Sequence, residues 1–295
     1  FKKVGEAYVK VLQYQGDVEA GEADLNLAKT LYDMTVVAFN SGVATGVDKA
    51  RAESRMLQSE TKLLQAKTNL DKSLNALKEL LMLPMATPLD LTSPLTAKPS
   101  APPTADRAVA TAEAQRPDIR AAKEQIRMAG YEHRAAVGQQ VPSLAFGANY
   151  GGTGNTPTQN VAGTYQLAGL IQIPLFDGGN TVGEIQVTKS KKKQAQLILG
   201  ALKQEADKEV RDALDAMKYS QQAIVASKKR VEVAKLELEL TRDRFFAGVD
   251  DNLELTRAQA NLANARDEYI KALADYNNAR IMLAYAMGVI RDFNF

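Results

Sequence analysis

The sequence predicts a mainly α protein: long antiparallel coiled-coil helical hairpins in two structural repeats, with one β-hairpin set between them. Three observations carry this. Two stretches of the chain repeat each other, apolar residues recur every seven positions over long spans, and one segment, 141–179, switches to a period of two.

The repeat comes first because it sets the organisation. Phe39-x-x-Gly42-Val43 recurs as Phe245-x-x-Gly248-Val249, and Val47-Asp48-x-x-Arg51-Ala52 recurs as Leu253-Glu254-x-x-Arg257-Ala258. Ala7, Ala28, Thr35 and Ala66 fall opposite Ala213, Ala234, Thr241 and Ala272, so about 80 residues align without a gap. Each copy reads as a helix, a tight turn and a helix returning antiparallel. In the second copy the outgoing arm runs from about Glu184 to Phe246, roughly 90 Å at the rise of an α-helix.

Val210, Met217, Ile224, Val231, Leu238 and Phe245 stand seven apart on that arm, and Ala213, Ser220, Ser227, Ala234 and Thr241 form a second, small-residue seam. The return arm has Ala258, Ala265, Ala272 and Ala279 on one seam and Leu262, Tyr269, Tyr276 and Leu283 on another. The first copy repeats the design with Ala52, Ser59, Ala66 and Ser73 beside Met56, Leu63, Leu70 and Leu77. A sustained seven-residue period imposes a left-handed supercoil, and two seams per helix suit neighbours on both sides.

Gly42 and Gly248 sit where the periodicity breaks, each suited to the left-handed conformation that ends a helix. Asp48 and Glu254 then open the return helices, where a negative charge is favourable. Each tip carries acid: Asp48 in the first, Asp250, Asp251 and Glu254 in the second, with Arg51 and Arg257 one turn later. The segments fall into a first helical hairpin (1–83), a Pro-rich linker (84–106) and a lead-in helix (107–140). The β-hairpin (141–179) and a second helical hairpin (180–290), with its tip near 245–254, complete the order. The prolines at 84, 88, 94, 99, 102 and 103 prevent helix from persisting through the linker. Phe1 aligns with Asp207, in the middle of the second copy's outgoing arm, so about 90 residues are expected upstream of Phe1. A processed or trimmed N-terminus is expected, with any address label missing along with them.

In the β segment, Leu144, Phe146, Ala148 and Tyr150 alternate with Ser143, Ala145, Gly147 and Asn149. Tyr165, Leu167, Gly169, Ile171 and Ile173 alternate with Thr164, Gln166, Ala168, Leu170 and Gln172. One apolar face and one small or polar face mark strands between two different surroundings. A lone hairpin is marginal in water, so this one must join other strands or a lipid phase.

Composition excludes several function classes. Cysteine and tryptophan are absent and His133 is the single histidine, which rules out a structural zinc site or a thiol nucleophile. A net charge of +2 gives no electrostatic reason to expect nucleic acid as a partner. No apolar run approaches the roughly 20 residues of a membrane helix, so any membrane crossing must use strands. The glycines at 147, 151, 152 and 154 lack the Lys-Ser/Thr of a phosphate loop and read as a turn between strands. Lys189, Lys191, Lys192 and Lys193 read as a solvated helix face, with an anionic lipid or other acidic surface as the other reading. No polar constellation resembles an active site, and no cofactor is implied.

These residues resemble the TolC-like outer-membrane efflux proteins, over nearly the whole chain. The resemblance is carried by Arg116-Pro117-Asp118-Ile119, Val141-Pro142-Ser143-Leu144 and Ile173-Pro174-Leu175-Phe176-Asp177-Gly178-Gly179, together with the paired tips Phe39-x-x-Gly42 and Phe245-x-x-Gly248. It implies a homotrimer in the outer membrane of a Gram-negative bacterium. Each protomer would give four strands to a twelve-stranded barrel, of which this chain has one pair, and the helices would form a tunnel through the periplasm. The tips would dock on a periplasmic adaptor protein and an inner-membrane pump, making the tunnel the exit duct of an efflux or type I secretion system.

The resemblance also implies a tunnel gate at Asp48, Phe245, Asp250, Glu254 and Arg257. The sequence departs from the family pattern at three of these: Phe245 stands for a tyrosine, Asp250 for a basic residue and Arg257 for a pore-ring aspartate. A ring of Arg257 would disfavour cations, whereas a ring of Glu254 would attract them. The competing reading is a periplasmic coiled-coil adaptor or scaffold without a pore. The β-hairpin discriminates between the two, because a soluble scaffold should place charge on a strand face, and Pro142–Tyr150 and Thr164–Leu175 contain none.

Overall fold

The computed structural model describes residues 1–97, 102–154, 162–247, 249 and 252–292. Part of the linker (98–101, including Pro99), the turn at 155–161, and Gly248, Asp250 and Asp251 lie outside the described residues. The elements in order are α1 (Lys2–Asn40), α2 (Gly46–Leu80), α3 (Ala105–Gln115), α4 (Pro117–Gly138), β1 (Ser143–Thr153), β2 (Ala162–Gln172), α5 (Asn180–Phe246) and α6 (Asn252–Ala286). A short 3-10 turn follows at Ile290–Asp292. They form two compact units: Phe1–Arg116 with Ala206–Phe295, and Pro117–Glu205.

In the first unit, the seven-residue seams become the core. Val210, Met217, Leu238 and Phe245 are buried along α5, as are Ala258, Ala265, Ala272 and Ala279 along α6, with Leu262, Tyr276 and Leu283 on its other seam. Ala52, Ser59, Leu63, Ser73 and Leu77 are the buried positions of α2. Small residues on one seam let helix axes approach while the larger seam fills the gap, so these helices bury more than one face. Buried serines and threonines are tolerated because each hydroxyl bonds a carbonyl one turn back, as Thr35 Oγ1 does to Leu31 O at 2.7 Å and Ser59 Oγ to Arg55 O at 3.1 Å.

Where the sequence was read as linker running into one lead-in helix, the structure has two helices. α3 ends at Arg116, whose backbone is extended because Pro117 follows it, and Pro117 opens α4. Ala108 and Ala112 of α3 pack against Val210, Ala213, Tyr276 and Leu283. Arg116 is buried and ion-paired with Glu209, and its guanidinium also lies 3.4 Å from the carbonyl of Ala286 at the end of α6. Gly288, at φ +76°, turns the chain away there, and a Cβ added to it would meet the Arg116 amide nitrogen at 2.8 Å.

In the second unit, Ala122, Ala129 and Ala136 of α4 are buried at seven-residue spacing, as are Thr188 and Ala195 of α5. His133 Nδ1 lies 3.2 Å from Thr188 Oγ1 and ties the two helices, so the single histidine is a packing residue.

Candidate functional site

Two features carry the functional question: the strand pair in the second unit and the helical tips in the first. β1 and β2 are each 11 residues long and pair antiparallel, with Leu144 opposite Ile171, Phe146 opposite Gly169, Ala148 opposite Leu167 and Tyr150 opposite Tyr165. Side chains opposite one another share a face, so these eight residues make one apolar face. The other carries Ser143 with Gln172, Ala145 with Leu170, Gly147 with Ala168, Asn149 with Gln166 and Gly151 with Thr164. Leu170 is the one large apolar side chain on it. Every residue of both strands is exposed, Leu167 at 81% and Tyr165 at 86%.

No charged residue occurs from Pro142 to Phe176. Eleven tilted residues span about 25 Å, the height of the apolar band of an outer-membrane barrel. Phe146 covers Gly169, with its ring carbon 3.4 Å from where a Cβ would stand, so the aromatic supplies the packing that the glycine lacks. Tyrosines mark one end of the apolar face, and Leu175 and Phe176, about nine-tenths exposed, mark the other. Aromatic residues at both ends of an apolar band match the two interfacial girdles of membrane barrels.

Below the strands, Asp177 starts the long helix. Its carboxylate accepts the backbone N–H of Gly179 at 3.1 Å and of Thr181 at 2.7 Å, and the Thr181 hydroxyl as well. Gly178 and Gly179 take the positive φ angles that the bend requires.

The first tip is fixed by two local motifs. Gly42, at φ +77°, donates to Phe39 O at 3.0 Å while Val43 donates to Ala38 O at 2.9 Å, the bond pair of a Schellman cap. Thr45 and Asp48 then form a capping box. The Asp48 N–H donates to Thr45 Oγ1 at 3.3 Å, and the Thr45 N–H donates to Asp48 Oδ2 at 2.8 Å. In the second tip, Val249 donates to Arg244 O at 3.0 Å, the counterpart of the Val43 bond.

The structure therefore sorts the residues singled out in the sequence. Asp48 is engaged in a cap at the base of α2. Phe245 is buried among Leu31, Ala38, Leu238 and Leu255, in one cluster with Ala44 of the first turn, and Phe246 stands edge-on to it at 5.1 Å. Glu254 and Arg257 pair with each other at 2.7 Å and are exposed. Gly248 and Asp250 lie outside the described residues. Thr45 is an added member of this tip, and its signal in the sequence is the capping-box spacing Thr45-x-x-Asp48. Arg116 stands in the sequence only as part of the motif Arg116-Pro117-Asp118-Ile119, and nothing in its spacing announces Glu209 as its partner. Lys189, Lys191, Lys192 and Lys193 lie on α5 and make no ion pair among the described residues. Among the described residues no group of three or more His, Cys, Asp or Glu is placed to hold a metal ion, and no helix is long and apolar enough to cross a membrane.

An exposed, charge-free strand pair with one apolar face, joined to long helical hairpins, is the design of an outer-membrane channel protein. The family model for outer membrane efflux proteins matches residues 108–289, and the chain belongs to that family. It is 26% identical over 296 residues to the alkaline protease secretion protein AprF of Pseudomonas aeruginosa, covering 98% of this chain and 61% of the relative. It is 25% identical to the toluene efflux pump outer membrane protein TtgC of Pseudomonas putida, covering 97% and 59%. To the outer membrane protein TolC of Vibrio cholerae it is also 25% identical, covering 94% and 66%. The chain thus spans about three fifths of the length of these relatives. Among solved structures, the outer-membrane channel OprN superposes with a TM-score of 0.86 at 19% identity, over 97% of this chain and 65% of that one. The open state of the Neisseria gonorrhoeae MtrE outer membrane channel superposes with a TM-score of 0.82 at 21% identity, over 100% and 67%.

Proposed function

We propose that this chain builds part of the wall of a passive exit duct in the outer membrane of a Gram-negative cell, assembled as a homotrimer. Segment 141–179 lies in the membrane, the hairpins 1–83 and 180–290 project into the periplasm, and 84–106 and 107–140 join them. The duct performs no chemistry of its own. One observation carries the reading: a charge-free pair of 11-residue strands with one apolar and one polar face, every residue exposed in the single chain. Lipid against the apolar face, water against the polar one and strands of neighbouring copies on both edges would satisfy all four boundaries at once.

In this reading the tips near Gly42 and Gly248 meet a periplasmic adaptor protein and an inner-membrane pump. Asp48, Asp250, Glu254 and Arg257 supply the charge of the tunnel gate, and Phe245 supports the turn from within. Relatives named for protease secretion and for toluene efflux fit a wall that does not itself select the cargo.

The first test is the mass and oligomeric state of the protein expressed from its complete gene. A trimer that requires detergent is expected. A protein that stays soluble and monomeric without detergent would overturn the duct and favour the periplasmic scaffold. For the tips, Gly248→Pro or Glu254→Lys is expected to reduce export and adaptor cross-linking at unchanged trimer yield. If both leave export and cross-linking intact, the tip assignment is wrong.

A further inference from the structure

Where α1, α2 and α6 meet, the first unit has a partly open cavity of about 350 Å³ lined mainly by polar side chains. It interrupts seams that are otherwise apolar or small, and its lining carries the carboxylates of Asp17, Asp24 and Asp267 with the cations of Arg55, Lys62 and Lys271. Asp24 on α1 is ion-paired with Arg266 on α6. Lys62 on α2 lies 3.9 Å from Asp267 on α6. Asp17, on α1 and lining the same cavity, makes no hydrogen bond and no ion pair among the described residues. Close packing on both sides keeps it there. A Cβ on Gly16 would meet Ile270 of α6 at 3.4 Å, and a Cβ on Gly21 would meet Leu63 of α2 at 3.3 Å. These contacts pin α1 to both neighbours, so that Asp17 from α1 and Asp267 from α6 line one cavity.

We propose that Asp17 and Asp267 form a proton-responsive contact between α1 and α6, which tightens when the surrounding solution is acidified. Two carboxylates facing a half-desolvated cavity repel each other when both are ionised. One proton taken up by the pair removes that repulsion and lets the protonated carboxyl act as a hydrogen-bond donor.

The surrounding charges do not cancel the effect. Burial first, and the Asp267 charge second, push Asp17 up to about 6, against the pull of Lys10 on its own helix. Asp267 is raised by burial and by the charges of Asp24 and Glu268, with Lys62 of α2 opposing. Asp24 is raised by burial, with Arg266 of α6 and Arg55 and Lys62 of α2 opposing. Lys271 of α6 completes the charged lining.

An unfolded aspartate titrates near 4, so the folded chain binds this proton about 100-fold more tightly. The sign follows from linkage. The penalty for ionised Asp17 is present in full above pH about 6, and it is relieved as the pH falls from there towards the unfolded value. The contact is therefore tighter at pH 5 than at pH 7.5.

The chain has no cysteine, so a pair introduced at Asn26→Cys and Asn264→Cys on exposed positions of α1 and α6 can be spin-labelled without background. In the full-length protein in detergent, the label-to-label distance should narrow in distribution through a transition centred near pH 6. Asp17→Asn should hold the acid-state distribution at every pH, and Asp267→Asn should move the transition to lower pH. Asp71→Asn, an exposed change on α2, should leave it where it is. A distance distribution that does not change between pH 5 and pH 7.5 would overturn the proposal. So would a transition that survives unaltered in Asp17→Asn.

Discussion

The two faces of the strand pair make opposite demands on adjacent residues, and Leu167 and Gln166 test them at the same depth. Leu167 is the central residue of β2, on the apolar face opposite Ala148; Gln166 precedes it on the polar face opposite Asn149. If the apolar face meets lipid, Leu167→Arg puts a charge at the bilayer midplane, at a cost of about 2–4 kcal/mol per protomer. That corresponds to about 30- to 700-fold in the folding equilibrium of each copy, and about 6–12 kcal/mol in a ring of three. Gln166→Arg points into the lumen and should cost no more than about 1 kcal/mol, while shifting conductance towards anions. The assay is urea titration of the full-length protein folded into lipid vesicles, with trimer yield in the outer membrane as a second reading. Equal loss in the two variants would refute the face assignment. Tolerance of Leu167→Arg with loss for Gln166→Arg would invert it.

Other consequences concern the helical unit. Gly42 and Gly288 share nearly the same φ, but Gly42 has nothing within 4 Å of a new Cβ whereas Gly288 would drive it into the Arg116 backbone at 2.8 Å. Gly42→Ala should cost about 1–2 kcal/mol, the strain of the left-handed conformation alone. Gly288→Ala should cost roughly 3 kcal/mol or more, because overpacking is added, and the gap in thermal midpoint between the two variants checks it. Arg116→Ala strands Glu209 and removes the donor beside Ala286 O. Since Glu209 keeps partial access to water, the expected loss is about 1–3 kcal/mol, below the value for a fully buried pair. Arg116→Lys should recover only part of it, since an ammonium lacks the guanidinium's fork of donors.

The long hairpins were legible because their information is periodic. The seven-residue spacing of Val210, Met217, Leu238 and Phe245 needs no knowledge of the partner helix to identify a buried seam, and all four are buried. The strand pair was legible for the same reason at a period of two, and the register, which alternation alone does not give, places Leu144, Phe146, Ala148 and Tyr150 on one face with Ile171, Gly169, Leu167 and Tyr165. α3 was less so. Its sequence, Ala105–Gln115, is short, follows a proline-rich run and presents two buried alanines rather than large apolar residues. Helices of that length draw their stability from packing, which in this case comes from Val210 and Tyr276 in distant parts of the chain.

The tips divide along the same line. The backbone of the first is set locally, by the left-handed Gly42 and a capping box, so the break in periodicity at Gly42 marks the turn from sequence alone. Side-chain roles are another matter. Phe245 occupies a seam position by its spacing and a gate position by resemblance, and within the chain the seam takes it: it is 6% exposed and packed against Leu255. Glu254 and Arg257 satisfy each other within one turn, a pairing that spacing alone allows. Whether such a pair stays closed depends on the potential of neighbouring copies and docked partners, because an exposed pair contributes at most about 1 kcal/mol. A third charge of either sign brought close by a neighbour would compete with it directly. In the proposed duct the gate chemistry would be a property of the assembled ring, and Glu254→Gln should release Arg257 and shift conductance towards anions. Unchanged selectivity in single-channel recordings would mean that the pair does not line the lumen.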